Sequence, residues 1–376
     1  MKVYIDPRSS INYSSYYIQG LYDVTGKKNV RFSASRFRDL KEIDMLLALV
    51  VVDAGKRKKI IIDYRDQCDV ILPAYDWADL YAIINFNATT LPEGRVDKLL
   101  NIPPSFSIRI WNTFELLFHL FVNFFTAKII TRFRHKNIHL RPEIWVRNYL
   151  TLLKRQKLHD YTAENELKKE NYVFFISTWW EGQTHTNAYR SHYLLSCAHH
   201  PEIDFEGGFF YNKKHMPGTL NDIRKNIPEA LIYDRYISSK IYTGKTKESI
   251  FVFNTPAVNN CHGWKLGEFL SMGKAIISTP LGNEMPVPLE HGKEIFIAKD
   301  QEEIENAVDL LLNNKNLRHS LEKNAKTYFN QFASPDRVIA QIIKCAFTPS
   351  SAATAAEHSP LPHSNQSAAQ TNSSAK

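Results

Sequence analysis

The segment from Ser249 to Pro280 constrains this chain more than any other. It opens on an apolar run, Ile250–Asn254, and passes through a polar loop to Gly263. It continues as an apolar-patterned stretch, Trp264–Met272, stops at Gly273 and resumes as Ala275–Ser278. Short apolar runs flanking a stretch of helical period read as strand, helix, strand. A glycine just past the last periodic residue is a helix stop signal. The segment therefore reads as a β–α–β unit, the building block of a parallel sheet.

The rest of the chain agrees with an α/β fold. Apolar runs at Val3–Ile5, Asn29–Ser33, Met45–Val52, Lys59–Asp63, Val70–Pro73 and Tyr81–Asn85 are separated by polar or helical pieces such as Ser14–Val24. Runs of this kind predict a parallel sheet covered on both faces. The 376 residues, 44% of them hydrophobic, suffice for two domains with real cores. A charged stretch, Asp160–Asn171, marks the boundary. The expected division is 1–165, 170–347 and a tail, 348–376, too poor in apolar residues to fold. Asp300 with Glu303, and Ser334 with Pro335, have the form of helix starts in the second domain.

Residues 111–133 form an almost solidly apolar run in which Glu115, His119 and Asn123 recur every fourth residue. That spacing places the three on one helical face. The uncharged part falls well short of the ~20 residues of a membrane span. The segment is expected to be an amphipathic helix. Its basic flank, Lys128, Arg132, Arg134, Lys136 and Arg141, suits either packing within the first domain or contact with an anionic membrane surface.

The net charge of +8 points to anionic partners. No zinc-finger spacing or aromatic-glycine run accompanies it, so nucleic acid is not expected. Cys68, Cys197, Cys261 and Cys345 are scattered, which fits reduced thiols rather than a disulfide framework or metal site. No apolar leader follows Met1, and a cytoplasmic setting is expected, peripheral at the inner face of the cell membrane if residues 111–136 rest on it.

The loop Asn259–Gly263, with His262, presents small or polar residues and free backbone N–H groups at a helix start. Such an end carries partial positive charge and binds anions such as a diphosphate. Gly263 would let a ligand approach the backbone. Lys265 in the first turn is mildly unfavourable unless an anion lies nearby. Glu268, in the second turn, tilts back toward that end and could accept hydrogen bonds from vicinal ribose hydroxyls. A plain β–α–β unit with a solvated Glu268 is the competing reading.

The stretch resembles the C-terminal domain of group 1 (family 4) glycosyltransferases, through Gly263, Glu268, Gly273 and Ala275-Ile276-Ile277, the loop Pro280–Pro288, His291-Gly292 and the Asp300 helix. The similarity is strongest over residues 234–346. It implies the GT-B fold, two Rossmann-like domains facing across a cleft, and a sugar transferred from a nucleotide diphosphate. It also implies Glu268 on the donor ribose. In the family a second Glu, eight residues earlier, contacts the donor sugar; here Asn260 stands there. A basic pair near the start of the second domain would neutralise the diphosphate, with Arg190 or Lys213-Lys214 as candidates, although solvated positions suit each. Asn187 could cap a helix or meet a ligand.

No catalytic base is evident. Asp6 and Asp53 follow apolar runs, where open α/β sheets bind ligands. Asp76 and Asp79 are further candidates, and turn or cap roles compete for all four. No Asp-x-Asp triplet occurs, which agrees with metal-independent transfer and no cofactor beyond the donor. The expected activity is hexosyl transfer to a saccharide or lipid-linked acceptor, in bacterial surface polysaccharide or lipopolysaccharide biosynthesis. A nucleotide-sugar epimerase of the same fold and a non-catalytic sugar-binding scaffold are the alternatives.

Overall fold

A computed structural model describes residues 1–348 apart from 42, 44, 92–95, 132–140, 164–168 and 212–218. Arg132, Arg134, Lys136, Lys213, Lys214 and the tail expected to be disordered, from 349 onward, lie outside the described residues.

The first half runs β1 (Lys2–Ile5), α1 (Ile11–Thr25), β2 (Val30–Phe32), β3 (Leu46–Asp53), β4 (Lys56–Asp63), α2 (Leu72–Trp77), β5 (Leu80–Ile83), β6 (Leu99–Asn101), α3 (Thr113–Thr131), α4 (Pro142–Thr151) and α5 (Leu158–Thr162). Its sheet has the order β2-β1-β3-β4-β5-β6. The sheet is mixed rather than parallel as expected, because β3 runs antiparallel to both β1 and β4. The cause is a tight hairpin. Asp53 pairs with Lys56 across Ala54 (φ 46°) and Gly55 (φ 79°), both left-handed, as a two-residue hairpin turn requires. The stretch around Val70–Pro73, read as strand-like, instead enters α2, with Pro73 in its first turn.

The second half runs β7 (Tyr172–Thr178), α6 (Thr184–His199), β8 (Asp204–Phe210), α7 (Thr219–Asn226), β9 (Ile232–Tyr233), α8 (Ser239–Glu248), β10 (Val252–Asn254), α9 (Trp264–Met272), β11 (Ile276–Ser278), β12 (Phe296–Ile297), α10 (Gln301–Asn313), α11 (Lys315–Tyr328) and α12 (Pro335–Phe347). Strands β9-β8-β7 and β10-β11-β12 form two all-parallel ladders. The Ile250 N–H donates to the Tyr172 carbonyl at 2.9 Å and joins them beside β7. The combined order, β9-β8-β7-β10-β11-β12, reverses direction at β7/β10, which is the doubly wound arrangement. The expected β–α–β unit is present as β10-α9-β11, and Gly273 closes α9 in the left-handed conformation (φ 64°).

The two halves share one hydrophobic core. Leu266, Phe269 and Leu270 of α9 join Val3 and Leu49 of the first sheet and Ile339 and Ile342 of α12 in a single buried cluster. Helix α12 leaves the second half and packs along α1. The contact is backbone-close: a Cβ on Gly20 would lie 2.1 Å from the Pro335 carbonyl oxygen, so only glycine fits there. Nearby, the Tyr16 hydroxyl donates to the Ala333 carbonyl.

Helix α3 is apolar on both sides: Leu116, Leu120 and Ala127 are buried in the shared core. The face carrying Glu115, His119 and Asn123 turns toward the protein, and the aromatic face turns out.

Candidate functional site

The carboxyl ends of β7 and β10 border the strand-order reversal, and α9 starts just beyond β10. In an open α/β sheet this is the ligand crevice. Gly263, the residue before α9, has extended backbone (φ −77°, ψ 160°) and caps the helix with no side chain. A Cβ added there would touch only the Ala257 Cβ, at 3.5 Å, so the glycine leaves open space at the helix start.

Glu268 and Lys265 project from α9 into one cavity of about 280 Å³, which Arg155, Ser177, Tyr236 and Tyr242 also line. Burial raises the Glu268 carboxyl to a pKa of about 7, although Arg155, Lys265 and a hydrogen bond from Tyr242 pull it down. Glu268 is thus buried and partnered rather than solvated. Burial lowers the Lys265 ammonium to about 7; Arg190 pushes the same way and Glu268 opposes. The ammonium donates to the Ile176 carbonyl at 2.6 Å and sits 4.9 Å over the Phe175 ring. A desolvated ammonium and carboxylate in one cavity form a polar site whose charges a bound anion and hydroxyls could complete.

Arg190 is buried on α6 and is not a solvated helix residue. Its guanidinium donates to the Thr178 carbonyl and to Thr255 Oγ1, both at 3.0 Å, so it ties the end of β7 to the residue after β10. Burial lowers its pKa to about 10. Asn187 lies inside α6, whose cap residue is Gln183. Its amide brackets the backbone of Trp180, accepting from its N–H at 3.1 Å and donating to its carbonyl at 2.6 Å.

His262 and Asn260 belong to a different part of the crevice. The His262 N–H donates to Asn85 Oδ1 at 2.8 Å, and Asn283 Nδ2 donates to the same oxygen at 3.0 Å. Burial holds the His262 imidazole down at about 4, and among the described residues its Nε2 has no hydrogen-bond partner. Asn260 is exposed and left-handed (φ 58°), following Asn259 in the same conformation (φ 55°). Asparagine tolerates that conformation better than glutamate would, which gives the residue a backbone role. Neither His262 nor Asn260 lines the cavity of Glu268.

Both aspartates expected as candidate bases sit in ion pairs. Asp6 is fully buried and bound to Arg8: Oδ2 accepts from Nη2 at 2.6 Å, and Oδ1 from the Arg8 N–H at 2.9 Å. Its carboxylate is consumed in a buried ion pair. Asp53 pairs with the amino terminus of Met1 at 3.2 Å. Because β3 runs antiparallel to β1, Asp53 lies at the foot of β1, on the opposite sheet edge from Asp6. Asp79 accepts from the Lys59 N–H at 2.7 Å and Asp76 sits within α2.

Three residues not singled out in the sequence reach the site region. Arg155 lines the cavity and stacks 4.9 Å over the Trp264 ring. Tyr13 of α1 stacks on Tyr64 at 5.9 Å and meets Trp264 edge-on at 5.3 Å, bringing the first half against the start of α9. Asp66, exposed beyond β4, accepts from the Cys261 thiol at 3.4 Å. Among the described residues, no group of three or more His, Cys, Asp or Glu is placed to hold a metal ion.

Fold and site together define a two-sheet α/β protein with a polar, partly enclosed crevice at the carboxyl edge of a doubly wound sheet. No family model matches the chain, and no curated protein matches its sequence. Among solved structures it is similar to the C-terminal domain of a glycosyl transferase group 1 family protein, LpcC, from Francisella tularensis. That match has a TM-score of 0.32 and 12% identity, over 44% of this chain and 87% of that one. It is also similar to Anabaena Alr3699/HepE in complex with UDP-glucose, with a TM-score of 0.38 and 14% identity over 76% and 97% of the two chains. The match to TarM has a TM-score of 0.41 and 10% identity over 81% and 64%.

Proposed function

We propose that this protein is a glycosyltransferase of the GT-B fold that moves a hexosyl unit from a nucleotide-diphosphate sugar to a saccharide or lipid-linked acceptor. The observation that carries the reading is the shared cavity of Glu268 and Lys265 at the start of α9. The motif Gly263, Glu268, Gly273 supports it from the sequence side. In this reading Glu268 accepts hydrogen bonds from the donor ribose. The α9 start, Lys265 and Arg190 neutralise the diphosphate, so that charge developing on the leaving group meets preorganised donors. Beyond donor and acceptor no cofactor is required, and no metal ion takes part. The acceptor belongs to surface polysaccharide or lipopolysaccharide assembly at the cytoplasmic face of a bacterial membrane.

A bound donor raises apparent stability by mass action. The test is thermal unfolding of the purified protein with a panel of nucleotide sugars and free nucleoside diphosphates. At least one nucleotide series is expected to raise the midpoint, and Glu268→Ala to abolish the rise while folding normally. A wild-type midpoint unmoved by every member, or an unchanged response in Glu268→Ala, would overturn the donor assignment. Product formation only when acceptor is added separates transfer from epimerisation.

A further inference from the structure

Helix α3 buries Leu116, Leu120 and Ala127 in the core and still presents a second, aromatic side to solvent. On the inward side, Asn123 is fully buried and donates to the Tyr149 hydroxyl at 2.9 Å, His119 stacks on Trp111 at 4.3 Å, and Glu115 pairs with Lys27. These contacts fix the helix rotation. On the outward side Phe114 is 88% exposed, Phe118 62%, Phe121 58% and Phe125 65%. Leu117, Val122 and Ile129 extend the surface, and Val146 and Leu150 of α4 are exposed as well. Soluble monomers seldom leave so many large apolar side chains together in water, and such patches mark interaction sites.

Charge selects the partner. Among the described residues, Lys128, Arg141, Arg147 and Lys154 are exposed on and around the two helices, where the acids are Glu143 and the Lys27-paired Glu115. Aromatic side chains bordered by cations match a lipid surface with anionic headgroups. A second copy of the chain matches it less well, because a two-fold contact through this patch would set these cations against their own counterparts. No helix among the described residues is long and apolar enough to cross a membrane. The helix must therefore lie in the plane of the interface.

We propose that the outward face of α3, with Val146 and Leu150 of α4, docks this protein onto an anionic phospholipid bilayer. The docking is monotopic: the Phe side chains enter the boundary between headgroups and acyl chains while Glu115, His119 and Asn123 stay on the protein side. It places the membrane next to the site, since only four residues separate Leu150 from Arg155 in the cavity. The proposal does not depend on sugar transfer, and lipid binding is read without any donor.

The experiment is flotation of the full chain with vesicles of pure phosphatidylcholine and of phosphatidylcholine with about one third phosphatidylglycerol. The protein is expected to float with the anionic vesicles, with binding about tenfold weaker to the neutral ones and in high salt. The combined change Phe118→Ser, Phe121→Ser, Phe125→Ser is expected to abolish flotation, and Arg147→Glu to weaken only the anionic component. Thermal unfolding checks that both variants fold. Wild-type protein that stays at the bottom with both vesicles overturns the proposal. So does undiminished flotation of a folded triple variant. A wild-type dimer in light scattering that does not float, and that the triple variant dissociates, assigns the patch to a second copy instead.

Discussion

Asn85, at the end of the first sheet's β5, accepts the backbone N–H of His262 at 2.8 Å and so fastens that sheet to the loop that leads into α9. The same oxygen takes Asn283 Nδ2, and the Asn85 amide donates to the Arg65 carbonyl at 2.7 Å. One side chain thus satisfies polar groups from three segments. Leaving a buried donor unpaired costs about 1–3 kcal/mol. Asn85→Ala is expected to lower stability by an amount in that range in urea denaturation. A loss under about 0.5 kcal/mol would mean that water replaces the lost acceptor.

The Lys265 and Glu268 pKa values, both about 7, predict proton exchange on nucleotide binding. At pH 8 Lys265 is mostly neutral; a diphosphate favours the ammonium, so binding takes up protons. At pH 6 Glu268 is mostly protonated; ribose hydroxyls favour the carboxylate, so binding releases protons. Titration calorimetry in buffers of different ionisation enthalpy measures both. Lys265→Met should remove the uptake and Glu268→Gln the release. Proton exchange of one sign at both pH values would contradict the paired roles.

Asp6 and Arg8 form a buried pair, and removing one partner of such a pair costs about 3–5 kcal/mol. Asp6→Asn is expected to destabilise the fold by that order in chemical denaturation. Activity measured well below the unfolding transition should stay near that of the parent protein. An undiminished stability with activity down a hundredfold would return Asp6 to the chemistry.

Transfer is expected to persist in EDTA, because in the proposed reading Lys265, Arg190 and the α9 start, rather than a metal ion, neutralise the diphosphate. Restoration of a lost activity by added manganese would contradict this.

The β10-α9-β11 unit was legible in the sequence because everything that specifies it is local: two apolar runs, one helical period and a terminal glycine. The inverted strand was missed because the turn that reverses it is only Ala54-Gly55, and both flanking runs read equally well in a parallel sheet. Spacing placed Glu115, His119 and Asn123 on one face of α3. Which face turns inward depends on Tyr149 and Trp111, and no periodicity reports those partners. Arg155 and Asn85 reach the crevice only through tertiary packing; Asn85 and His262 are 177 residues apart. The fate of Asp6 had a local signal. Asp6-Pro7-Arg8 recurs as Asp63-Tyr64-Arg65 after β4, where the carboxylate again binds the arginine two residues on.

The docking of α12 on α1 has a consequence for how the chain is made. The first half is synthesised early, yet the groove over Gly20 is filled by residues close to the end of the described chain. A nascent chain emerges at about 5–20 residues per second. For much of translation, Ile18 and Leu21 of the shared core therefore lack their last neighbours, Val338 and Ile342. The amino-terminal half stays unfinished until α12 has been made and can pack on α1.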